Sequence, residues 1–184
     1  MGDAVKILLM AAVLAMPMLL DSCEKEPEQL TAGVFTIDNT LYGYGPYYAI
    51  GFSFEKGRKL KTSDEPGPDI TIHVRTGAGG NIEGAYLDTP NLVESFALAG
   101  ESGSESEAKI FFDQLLEIEP ASYDWVLYAD GVRMHQVWIF KTQEDNYAGF
   151  MIKDLVLEDA ESGPYAEMMA EWKIQADGST TFSQ

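Results

Sequence analysis

The chain has 184 residues, with 12 Lys and Arg against 30 Asp and Glu, for a formal net charge of −18 at pH 7. That balance excludes a nucleic-acid footprint, which needs clustered cations along a polyanion, and it excludes docking of the protein surface on anionic lipid. A single cysteine, Cys23, excludes a disulfide within the chain and needs a reason of its own.

The first residues read as a targeting segment. Lys6 adds a positive charge beside the amino terminus, and residues 7–20 form an apolar run of 14 residues. A spanning helix needs roughly 20 apolar residues and a signal-peptide core about 7–15, so the run fits export better than spanning. It ends in Leu19-Leu20-Asp21-Ser22-Cys23. This resembles the lipobox of bacterial lipoproteins, where a Leu three residues before the cysteine and a small residue directly before it admit the peptidase. The expectation is a signal peptide over residues 1–22, cleavage before Cys23 and lipid on its thiol. Removing residues 1–22 takes away Asp3, Lys6 and Asp21 and leaves 162 residues with formal charge −17. That length suits one domain with a sizeable core. Glu24-Lys25-Glu26-Pro27-Glu28 reads as a solvated acidic tether, with linker through residue 33. It is similar to the acidic export signal that follows the lipid cysteine in many surface lipoproteins of the Bacteroidetes.

From residue 34 onward the pattern is mostly β. Strands are expected over 34–38, over the aromatic stretch 47–54 and over 59–62, the last two joined by a turn at Gly57. Residues 63–68 hold two prolines and a glycine and read as loop. Residues 70–75 alternate, with Ile70, Ile72 and Val74 on one side and Thr71, His73 and Arg75 on the other. A Gly-rich loop follows over 77–81. One helix is expected over 104–117, because Ala108, Phe111, Phe112, Leu115 and Leu116 recur at helical spacing and Ser104 with Glu107 fits a capping box. Strands resume over 125–129, followed by a turn at Asp130-Gly131. Residues 136–142 and 147–157 form a hairpin around 143–146. Residues 165–175 close the sheet, with Met168, Ala170, Trp172 and Ile174 inward. The fold class that follows is mainly β (β-rich α+β): a single antiparallel β-rich domain over 34–184 with one helix near 104–117.

The chain does not read as an enzyme. It has no Gly-x-Ser-x-Gly elbow, no Gly-rich phosphate loop followed by Lys-Ser/Thr and no His pair at helical spacing, and its cysteine is assigned to lipid. Glu158-Asp159-Ala160-Glu161 reads as a solvated turn without the ordered spacing and central Gly of a calcium loop. His73 reads as a half-exposed strand histidine. Met134 and His135 are residue types that ligate haem iron, but neighbours on a strand point to opposite faces, so the pair needs a bend to approach one iron. In Tyr42-Gly43-Tyr44-Gly45-Pro46-Tyr47-Tyr48, rigid amphipathic rings on a Gly-rich loop can stack on a sugar or a porphyrin, or fold back on the core. Tyr44 and Tyr47 are its candidate contacts.

Three stretches together resemble the HmuY-like haem-binding lipoproteins of the Bacteroidetes. The first is Thr36-Ile37-Asp38 with Phe52-Ser53-Phe54-Glu55-Lys56-Gly57-Arg58-Lys59-Leu60. The second is Pro68-Asp69-Ile70-Thr71-Ile72-His73-Val74-Arg75, and the third is the block over 137–182. They cover about half of the chain after Cys23, and their order carries the likeness. The resemblance implies a β-rich domain that holds haem between loops through two axial side chains. Residues 86–132, where the family's ligand histidines lie, contain neither His nor Met here, which leaves Met134 and His135 as the iron-ligand candidates.

The expected protein is thus an outer-membrane or cell-surface lipoprotein, held in the membrane through lipid on Cys23. Its domain captures a small ligand, haem first, and an outer-membrane transporter or envelope complex is the expected protein partner. Alternatives are a carbohydrate or another ligand at loop 42–48, or an accessory subunit of an envelope complex with no ligand of its own.

Overall fold

The computed structural model of the chain describes residues 30–45, 48–175 and 177–182. Among them, strands and one helix follow in the order β1 (Ala32–Asp38), β2 (Ile50–Ser53), β3 (Arg58–Lys61), β4 (Thr71–Thr76), β5 (Ile82–Asp88), β6 (Phe96–Glu101), α1 (Glu105–Gln114), β7 (Ala129–Asp130), β8 (Gln136–Lys141), β9 (Tyr147–Ala160) and β10 (Gly163–Gln175). They pair into an antiparallel five-stranded sheet, β1-β10-β9-β8-β6, a β2-β3 hairpin and a three-stranded sheet, β4-β5-β7. The expected β-rich class with a single helix is what the chain adopts.

The five-stranded sheet is covered on both faces. In β8 every residue from Gln136 to Phe140 is buried, as a strand enclosed on two sides requires. One face meets β2–β3 and β4-β5-β7 through an aromatic core at whose centre stands Phe54. Its ring lies within 6.0 Å of the ring centroids of Phe35, Phe52, Phe140, Phe150 and Trp172. Rings at such separations add to the area they bury. The β2–β3 hairpin can lie flat on this core because Gly51 has no side chain: a Cβ there would sit 2.1 Å from the Ile70 carbonyl oxygen. Gly57, at φ +60, makes the turn expected of it.

The other face meets α1 and the C-terminal segment, over Ala97, Ala108, Phe112, Leu115, Ile118, Val137, Ile139, Met151 and Phe182. Ser104 caps α1 by accepting from the Glu107 N–H. The helix ends at Gln114, three residues before the expected limit, because Leu115 leaves helical backbone. No basic residue lies in its last turn. Lys173 of β10 supplies the missing cation, donating to the Phe112 and Leu115 carbonyls at 2.7 and 2.6 Å. Its ammonium also lies over the rings of Phe112 and Phe182.

Several expectations are corrected. Residues 125–129 do not form a strand: Val126 makes an isolated bridge to Phe96, and only Ala129 and Asp130 pair as β7. The Trp125 indole instead donates to the Pro120 carbonyl, which holds the segment to the short 3₁₀ turn Pro120–Ser122. Strand 47–54 is shorter, at Ile50–Ser53, and β1 starts two residues earlier than expected. Strands β5 and β6 were not anticipated.

Candidate functional site

The outer face of β4 and β5 gathers the polar side of the alternating stretch 70–75. Register sets Thr71 opposite Asp88, His73 opposite Tyr86 and Arg75 opposite Gly84. The His73 and Tyr86 rings stack at 5.2 Å and 23°. Arg75 bonds Asp130 at 2.8 Å and leans towards Tyr86, and Tyr128 meets Tyr86 edge-on. His73 is more buried than its place on a polar face suggests. Its Nε2 lies 3.0 Å from the Thr71 hydroxyl, and burial holds its pKa below the ordinary value against the opposing charge of Asp88, so the ring is neutral at pH 7. Burial raises the Asp88 carboxyl, and one of its oxygens has no hydrogen-bond partner among the described residues.

Beside this cluster a cavity of about 290 Å³ opens at the edge of β4, lined by Asn39, Leu41, His73, Val74, Thr76, Tyr86 and Pro164. Asn39 fixes its rim, accepting from the Ala166 N–H and donating to the Pro164 carbonyl. Loop 41–49 springs from the same rim. A bridge between Leu41 and Ala49 closes its base, and Tyr42 packs edge-on against Tyr48 and under Lys61. Tyr42 and Tyr48 thus fold back on the domain, whereas Tyr44 is fully exposed. Tyr47 and Cys23 lie outside the described residues.

Met134 and His135 are elsewhere. They occupy the turn between β7 and β8, not a strand, so the bend that a shared ligand would require is present, with His135 at φ +68. The Met134 side chain is 47% exposed. His135 is half-buried, and its backbone N–H donates to Ile152 of β9. Neither Tyr44 nor the Met134–His135 pair lines the cavity; the turn that carries the pair follows β7, whose Asp130 pairs with Tyr86, and the Val132 N–H donates to the Ala85 carbonyl.

Tyr86 was missed in the sequence because β5 was missed. The signal was present: Ala85 and Leu87 alternate with Tyr86 and Asp88, the same pattern that marks β4. Among the described residues no group of three or more His, Cys, Asp or Glu could hold a metal ion, and no helix is long and apolar enough to cross a membrane. No family model matches this chain, and no curated protein matches it.

Proposed function

We propose that this protein is a lipid-anchored extracytoplasmic lipoprotein whose β-rich domain captures a small ligand at the Leu41–His73–Tyr86 cavity and the tyrosine loop on its rim. The observation that carries the reading is that cavity: a concave site with stacked aromatic walls, a neutral imidazole and a few polar groups. Ligand pockets run from about 300 Å³ upward, so it suits a small ligand or one edge of a larger flat one. Haem is the ligand implied by the HmuY-like resemblance, but at this cavity His73 is engaged by Thr71 and Tyr86, and the Tyr86 ring is already stacked on His73 and approached by Arg75. The accessible iron donor is the Met134 thioether, with His135 beside it, and this favours a second reading in which haem binds at the β7–β8 turn. The full exposure of Tyr44 favours a sugar ring as the alternative cargo at the cavity.

A haemin titration of residues 24–184, read by the Soret band, and a glycan array with the same protein test these readings. Saturation at one equivalent that is lost in Tyr86→Ala places haem at the cavity. Saturation lost only when Met134 and His135 are both replaced places it at the turn. Glycan binding that disappears in Tyr44→Ala supports the sugar. Silence in both assays overturns ligand capture and favours an accessory subunit of an envelope complex.

A further inference from the structure

One end of the five-stranded sheet can be traced residue by residue. The Lys141 N–H donates to the Ser95 carbonyl, Lys141 pairs with Tyr147, Tyr147 pairs with Gln175, and the Ile174 N–H donates to the Thr31 carbonyl. Ser95 and Thr31 are therefore the two corners of a single edge, four strand spacings or about 19 Å apart. Leu30, exposed, lies just outside one corner. Leu92 and Val93 lie just outside the other, at the tip of the loop from β5 to β6, 67% and 54% exposed.

Leu92 also has φ +53. A branched, bulky side chain with left-handed backbone is disfavoured, and Gly or Asn is the ordinary choice there. Two exposed aliphatic residues at a loop tip, one of them in a strained backbone, add nothing to the packing of the domain. Strain of this kind is retained where a site uses it.

We infer that this end of the sheet faces the bilayer, with Leu92 and Val93 resting in the interface of a zwitterionic membrane. The inference rests on the lipid anchor at Cys23 proposed above. Leu30 stands seven steps along the chain from Cys23, a reach of at most roughly 25 Å. Asn39, on the cavity rim, lies eight residues beyond Thr31 along β1, or about 27 Å of strand. An anchored chain thus holds the Leu92 end within tether length of the lipid and the cavity beyond it. Two aliphatic side chains bind a membrane too weakly alone, but the tether supplies the local concentration that makes an orienting contact effective. The charge of this end selects the lipid. Glu94, Glu144 and Asp145 are exposed here, and Lys141 is paired with Asp145, so anionic headgroups are repelled and neutral ones accepted.

The test couples the mature chain, residues 23–184, through the Cys23 thiol to a maleimide-bearing lipid in phosphatidylcholine vesicles. Leu92→Trp, Val93→Trp and Tyr44→Trp each report depth by quenching with brominated lipid, measured against the parent chain. The expected result is about a twofold loss of the added emission at positions 92 and 93, none at 44, and a smaller loss when anionic lipid is included. Equal quenching at 44 and 92, or none at 92 and 93, overturns the inference. The latter result would leave a protein surface as the occupant of the tip. Deeper quenching on anionic vesicles overturns the choice of lipid. The anchor itself is read separately, from the mass of the chain made with its own leader: an unmodified Cys23 sinks the lipoprotein reading without altering what the vesicles report.

Discussion

The two faces of the five-stranded sheet are held by different means. The face under β2–β3 and β4-β5-β7 is aromatic, and the carboxylates it contains are buried. Glu55, 7% exposed, accepts from the Thr142 hydroxyl and the Asn146 amide, and Asp69, 4% exposed, accepts from the Phe54 N–H. The face under α1 has a smaller apolar core, and its charges stand at the rim, where Lys109 and Lys153 share Glu171. A buried carboxylate needs its own donors, and each one ties down the loop that supplies them. Rim charges are solvated and can be exchanged with little effect. The aromatic face should therefore be brittle and the helical face tolerant, except where a helix-face charge is itself enclosed.

The largest test of that contrast is Phe54→Ala. Removing the ring shared by five aromatic neighbours should cost about 4 kcal/mol in urea unfolding, a large share of the stability of an ordinary domain. Next is the pH response of Asp69, whose carboxyl is pushed up to about 6, chiefly by burial, against the hydrogen bonds from Phe54 and Ser53. Its folded value lies above the ordinary 3.8, so between these values the folded protein keeps a proton that the unfolded chain has released. Stability falls as pH rises through that window, by up to about 3 kcal/mol. Relief of the overall negative charge acts in the same direction on acidification. The readout is thus the difference between the parent and Asp69→Asn in urea midpoints from pH 4 to 7, and the variant should show the flatter curve.

On the helical face, Lys173→Met keeps the apolar stem but removes the cation bonded to the end of α1. A loss of roughly 2 kcal/mol and a drop in helical circular dichroism are expected. The smallest effect is assigned to Lys109→Ala, which breaks solvated pairs with Asp113 and Glu171 and should change stability by less than about 0.5 kcal/mol. A large loss there would remove the distinction between enclosed and rim charges on this face.

What the sequence disclosed followed the clarity of its alternation. Residues 165–175 separate apolar from polar positions cleanly because the strand has one core face and one wetter face, whereas in residues 70–75 the alternation is in the sequence alone, since Thr71 is buried with Ile70 and Ile72. Phe96–Glu101 hid because Ala97, Ala99 and Gly100 leave little side chain to form a pattern. Gly100 is needed small, since a Cβ there would come within 3.0 Å of the Phe111 ring. Residues 125–129 misled because their aromatic content imitates a strand, while the Trp125 ring is bound to a neighbouring turn. The candidate cavity was not legible: His73 reads in the sequence as a half-exposed strand histidine, and the cavity depends on β5 and on the Asn39 rim, contacts between positions far apart in the chain.

The pairing of β1 with β10 reaches beyond the finished structure. Seven registered pairs, from Ala32 with Lys173 to Asp38 with Glu167, join the first of the described strands to the last. At the usual 5–20 residues per second, Phe35 is made roughly 7–27 s before Trp172 arrives to cover its neighbourhood. Through that interval an aromatic and aliphatic strand has no partner. Acidic residues flank it in the sequence, Glu24, Glu26 and Glu28 before it and Asp38 at its end, and like charges set against like oppose the pairing of one waiting strand with another copy.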